Sequence, residues 1–90
     1  MKFIVKWKIP KGSVVDAEQR FLKTGGAPPA GVTMIGRWHG MGGGGVLIAE
    51  TNDAKALFSW LAFWDDLLEF DTTPCLEDAD AGAGLAALKR

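Results

Sequence analysis

Arg37, Trp38 and His39 stand consecutively, and no other stretch of the chain groups side chains so well suited to chemistry. An arginine can hold a carboxylate or phosphate through two parallel N–H donors. His39 is the only histidine and the candidate general acid or base, since an imidazole changes charge near neutral pH. Catalysis by His39 also needs a pocket for substrate and a carboxylate to fix its tautomer, for which Glu69 and Asp71 are the candidates; their strand is expected at the opposite edge of the sheet, which favours a carboxylate from a second subunit over one from its own. The plainer readings stand beside these: a strand-end histidine lining a subunit interface, and an arginine in an ordinary ion pair. The expected site is therefore Arg37, Trp38 and His39 for a ligand, with His39 as the candidate catalytic group.

Other chemistries find less support. The glycine-rich run Gly40–Gly45 lacks the Lys-Ser/Thr that completes a phosphate-binding loop and leads into a strand rather than a helix, so it reads as a flexible hairpin tip that could close over Arg37 and His39. One histidine and one cysteine are too few for a tetrahedral metal site in one subunit, and Glu77, Asp78 and Asp80 lack the spacing of a calcium loop. No metal and no cofactor are expected. Trp60 and Trp64, four apart on a helix, belong to the core by default; with Trp7 and Trp38 they could also wall an apolar pocket.

These residues must be positioned by strands. In residues 2–9 the odd positions Phe3, Val5, Trp7 and Ile9 are all apolar, while Lys2, Lys6 and Lys8 share the even side with Ile4. That is the period-two alternation of a half-buried strand. Residues 32–39 repeat it: Val32, Met34 and Trp38 fall on one side, and Thr33, Ile35, Arg37 and His39 on the other. A third strand at 46–51 is apolar on both faces and belongs inside a sheet. A fourth, within 67–76, contains Pro74, which lacks a ladder donor and marks an edge.

Two helices fit between the strands. Ser13 supplies an N-cap with Asp16 three residues on, Val14, Ala17, Phe21 and Leu22 make an apolar stripe, and Gly25 and Gly26 end the first helix. Asn52 or Asp53 caps the second, which runs to about Trp64 with a wide apolar arc. The last segment has Ala81, Leu85 and Leu88 near helical spacing, but Gly82 and Gly84 each cost about 1 kcal/mol relative to alanine. That helix needs a docking surface, on the second helix or on another subunit.

The order strand, helix, strand, strand, helix, strand gives an α+β, ferredoxin-like βαββαβ sandwich in one domain spanning residues 1–90, with a C-terminal helical tail. Its first and third strands are central. The face left uncovered by helices is then expected to show Ile4, Ile35, Leu47 and Ala49 ringed by Lys6, Lys8, Arg37, His39, Glu69 and Asp71. An apolar centre with a charged rim suits a homodimer interface.

The chain has 90 residues, is 48% hydrophobic and carries a net charge of −1. That size is small for one core without disulfide, metal or partner, and the balance of charge gives no field to attract nucleic acid. The basic Lys2, Lys6, Lys8 and Lys11 and the acidic residues from Asp65 to Asp80 are expected to meet as cross-strand pairs. Base stacking on an open sheet is not expected, since Phe3, Trp7 and Trp38 all fall on the helix side in this reading. No stretch is apolar enough to span a membrane, Lys6 and Lys8 interrupt any signal-peptide core, and a single cysteine suits a reducing compartment. A cytoplasmic protein is expected.

The run FLKTGGAPPAGV, the strand IGRWHG, the tryptophan-rich helix and WDDLLEFDTTPCLED resemble a small bacterial family known as domain of unknown function 3303. The resemblance covers nearly the whole chain and implies the dimeric α/β-barrel form of the ferredoxin-like fold, with two sheets face to face. It implies no reaction and no catalytic residue. The reading is thus a homodimer binding a small anionic or amphipathic ligand near Arg37, Trp38 and His39. A cofactor-independent enzyme of oxygenase or isomerase type is the alternative, and a structural or protein-interaction module the third. A cavity with His39 held by a carboxylate favours the enzyme; a cavity without that pairing favours binding.

Overall fold

The computed structural model describes residues 1–89, and among them lie four strands and three α-helices. In chain order these are β1 (Lys2–Lys8), α1 (Val14–Thr24), β2 (Thr33–Gly40), β3 (Gly44–Glu50), α2 (Ala54–Trp64), β4 (Glu69–Cys75) and α3 (Asp78–Ala86). The strands form one antiparallel sheet in the order β2-β3-β1-β4. This is the α+β, ferredoxin-like arrangement expected from the sequence, with β1 and β3 central. Pro74 does sit on an edge strand, where its missing N–H costs no ladder bond.

The helix-side face of the sheet carries Val5, Leu47 and Ala49, which are buried together with Val32, Leu57, Trp60 and Trp64. In α2 the buried residues Leu57, Trp60 and Trp64 recur at three- and four-residue steps, which points one side of that helix at the sheet. Asp53 caps α2 by accepting a hydrogen bond from the Ala56 amide at 3.1 Å. Thr51, buried just before it, donates from Oγ1 to the Gly31 carbonyl at 2.6 Å and so pins the long connection before β2.

Four expectations are corrected. Ser13 makes no side-chain cap; a short 3₁₀ turn over Lys11–Ser13 leads into α1 instead. Gly44 and Gly45 belong to β3, so the tip is confined to Met41–Gly43, where Gly42 and Gly43 have φ of 94° and 88°. The phase of β3 is the reverse of that expected: Leu47 and Ala49 lie opposite Val5 and Phe3 on the covered face, and Val46 and Ile48 lie opposite Lys6 and Ile4 on the open one. The fourth correction concerns β2. Its register with β3 slips between Met34 and Gly36, with Ile35 as the extra residue of a bulge.

That slip turns everything after it over. Arg37 and His39 lie opposite Leu47 and Gly45 and join the helix side, whereas Trp38 lies opposite Val46 on the open face, where it is 59% exposed. The expectation had placed these three residues the other way round. A strict two-residue alternation fails here because one inserted residue shifts all later side chains to the opposite face.

α1 buries only Ala17, and Leu22 is 82% exposed, so its apolar stripe does not close onto the sheet. No helix among the described residues is long and apolar enough to cross a membrane.

Candidate functional site

The gap left between α1 and the sheet is a cleft of about 440 Å³. Its walls include Trp7, Phe21, Leu47, Trp60, Trp64 and Phe70, and its polar groups are the half-buried Arg37 and the exposed His39 and Glu18. Volumes of this order suit small-molecule sites, which are largely apolar with a few placed polar groups.

Trp7 reaches into the cleft because of Gly45. The two residues face each other across β1 and β3, and a Cβ at position 45 would overlap the Trp7 indole and the Trp38 carbonyl. The indole therefore lies over bare backbone. On the opposite face Trp38 does the same to Gly36, where a Cβ would come within 2.6 Å of its ring. Each tryptophan thus shields a strand glycine from water, one inside the cleft and one outside.

Arg37 crosses the cleft to the end of α1. Its Nη1 donates to the Gly26 carbonyl at 2.7 Å and its Nη2 to the Gly25 carbonyl at 2.9 Å. The guanidinium carbon stands 5.0 Å from the centre of the Phe21 ring, within cation–π range. Helix C-termini present unpaired carbonyls with partial negative charge, so a cation there is well placed. Gly26 makes the approach possible: its φ is 57°, and a Cβ would lie 2.7 Å from Arg37 Nη1. No carboxylate among the described residues pairs with Arg37. Among the described residues the ion pairs are those of Lys2 with Glu50 and Glu77, and of Arg20 with Asp66. Burial against these walls pulls the Arg37 pKa below its ordinary value, as expected for a cation that has lost water without gaining an anion.

His39 sits between two aromatic edges, 5.5 Å from the centre of Trp7 and 5.1 Å from that of Phe21. No side-chain hydrogen bond holds it among the described residues, and Glu69 and Asp71 are on β4, across the full width of the sheet and on its other face. The structure therefore gathers Arg37 and His39 with Trp7, Trp60 and Trp64, and leaves Trp38 outside.

A second clamp ties the helices together. Arg20 donates to both oxygens of Asp66, at 2.7 and 2.8 Å, and to the Phe63 carbonyl at 2.8 Å. Its guanidinium also stacks near Phe63 and Trp64, at 5.3 and 5.4 Å. This pairing holds the Asp66 carboxyl below the usual carboxylate range and raises Arg20.

Sequence reasoning missed Phe21 and Phe70 as cleft walls and the Gly25 and Gly26 carbonyls as partners of Arg37. One signal was present: an isolated glycine in a strand pattern, here Gly36, marks a bulge. Its use would have put Arg37 and His39 on the helix side. On the open face Trp38 removes one leg of the argument against base stacking, but RNA-binding sheets of this type stack two or three bases on their aromatics, and Phe3 and Trp7 remain on the helix side. Among the described residues no group of three His, Cys, Asp or Glu side chains is placed to hold a metal.

A family model described as Domain of unknown function (DUF3303) matches residues 1–89. No curated protein matches the chain.

Proposed function

We propose that this chain, which belongs to the DUF3303 family, binds a small amphipathic anion in the cleft between α1 and the sheet. The observation that carries the reading is Arg37, a partly desolvated cation that faces an aromatic cleft and is in no ion pair among the described residues. A guanidinium has five N–H donors, and only two are given to the Gly25 and Gly26 carbonyls. The remainder can receive a carboxylate, while the apolar body of the ligand lies against Trp7, Trp60 and Phe70. Burying both partners strengthens the charge-assisted bond. His39 then serves as an aromatic wall and a second donor, since among the described residues of its own subunit no side chain hydrogen-bonds it into one orientation for proton transfer; this favours binding over acid–base catalysis.

The open sheet face supports a homodimer as the setting for this site. Ile4, Val46, Ile48 and Trp38 form its centre, and Lys6 opposite Asp71 and Lys8 opposite Glu69 form one charged flank. The charges balance, so a second copy meets no like-charged field. A free Cys75 suits a reducing compartment such as the cytoplasm.

The test compares 1-naphthoate with neutral 1-naphthalenemethanol at pH 7.5, read by quenching of the cleft tryptophans. At least tenfold tighter binding of the carboxylate is expected, with that preference lost in Arg37→Gln and kept in Arg37→Lys. Equal affinity for both probes, or no quenching by either at millimolar concentration, refutes the reading.

A further inference from the structure

The last helix has no place to rest. α3 has nine residues, well below the ~12–15 that an isolated helix needs for even marginal stability in water. Gly82 and Gly84 weaken it further. Yet none of its residues is buried, and Leu85 and Leu88 after it are 64% and 50% exposed. Among the described residues its side-chain anchorage is at the root, where Lys2 donates to Glu77. The chain's outline shows the consequence: the radius of gyration is 15.2 Å and the longest extent 50 Å, whereas a compact chain of this length has a radius of about 12 Å. α3 is an arm.

We infer that this arm is exchanged: in the dimer, the Ala81–Leu85–Leu88 stripe of each copy packs on the other copy. The inference rests on the sheet-face dimer proposed above and adds a second contact to it. Area is the first argument. Leu85 and Leu88 are 64% and 50% exposed on the single subunit, apolar area that a two-fold partner can cover. In a two-fold dimer each copy gives one arm and receives one.

Charge is the second argument. The arm's root bears Glu77, Asp78 and Asp80, all exposed, and the far end of β1 bears Lys6, Lys8 and the exposed Lys11. Of these six only Glu77 is in an ion pair among the described residues; Lys6 and Lys8 stand opposite Asp71 and Glu69 on β4 without pairing with them. The chain thus carries the complement of its own arm, which selects a second copy over an unrelated partner.

Two measurements test this in the full-length protein. Sedimentation equilibrium should show a dimer whose dissociation constant rises at least tenfold in Leu85→Asp, and likewise in Ile48→Asp at the sheet face. A Leu85→Asp dimer within twofold of the parent, with Ile48→Asp monomeric, overturns the exchanged arm and leaves the sheet interface standing. A parent chain that is monomeric at millimolar concentration overturns both. For the second, a nitroxide at Leu88→Cys in a Cys75→Ser background is mixed with isotope-labelled, nitroxide-free protein. Broadening of amides in the labelled copy is expected; no broadening there, with broadening seen only in a second sample whose nitroxide-bearing chain itself carries the isotope label, means that α3 folds back on its own subunit, and the proposal fails.

Discussion

Replacing Arg37 separates the two tasks assigned to that side chain, and the size of the effect follows from its contacts. Arg37→Met keeps much of the apolar stem and removes the guanidinium, with its hydrogen bonds of 2.7 and 2.9 Å to the α1 terminus. Hydrogen bonds from a charged donor contribute about 1.5–3 kcal/mol each. The Gly25 acceptor lies in an exposed residue and can recruit water once freed, so the low end applies to that bond, whereas Gly26 is buried; the two bonds together contribute about 3–4 kcal/mol. Loss of the Phe21 stacking contact adds about 0.5–1 kcal/mol, and hydration of the freed Gly25 carbonyl, with the water that Arg37 no longer keeps out of the cleft, returns a part. The expected loss is about 2–3 kcal/mol; with a urea m-value near 1 kcal/mol per molar, that lowers the midpoint by roughly 2 M. Arg37→Lys, which can reach one carbonyl at a time, should lose about half as much and keep its charge for ligand. Urea melts followed by tryptophan fluorescence measure the shift, and hydrogen exchange should locate the loosening at the end of α1. A midpoint within 0.5 M of the parent for Arg37→Met, by the same m-value, would show that the end of α1 is held by something else.

Three further outcomes follow from the same geometry. Trp7→Ala uncovers Gly45 and one wall of the cleft and should destabilise by about 3–5 kcal/mol, as large aromatic truncations do; a loss under 1 kcal/mol in denaturant melts would contradict its place beneath the helices. Ile35→Asp puts a charge on the bulge of β2 and should lower the mass in light scattering from dimer to monomer, and an unchanged mass counts against the open face as an interface. Asp66 titrates below its ordinary range because Arg20 binds its charged form, so its share of stability is present above about pH 4 and is lost as pH falls through the depressed value; Asp66→Asn should flatten that part of the acid-unfolding curve, and a curve parallel to the parent's would mean that the clamp does not form in solution.

The elements were legible because each announces itself locally. The alternation in residues 2–8, the left-handed glycine after α1 at φ 71°, the Asp53 cap and the edge-marking Pro74 are signals within a few residues of what they specify. The strand order followed from them through a small set of allowed topologies. The candidate site was less legible, for a physical reason. Which face a strand residue occupies depends on every residue before it in the ladder, so one bulge at Ile35 misplaced Arg37, Trp38 and His39 together. For β3, apolar on both sides, composition contains no phase at all, and only pairing with Val5 and Phe3 decides it. The partners of Arg37 were out of reach for another reason: backbone carbonyls belong to every residue and leave no mark in the sequence.

The inserted residue in β2 has a consequence for reading related chains. Two relatives that differ by a single deletion near Ile35 would present opposite sets of side chains to the cleft, although their aligned letters at 37–39 agreed. Identity of letters across that stretch is then no guide to shared chemistry; parity of the count from Met34 is.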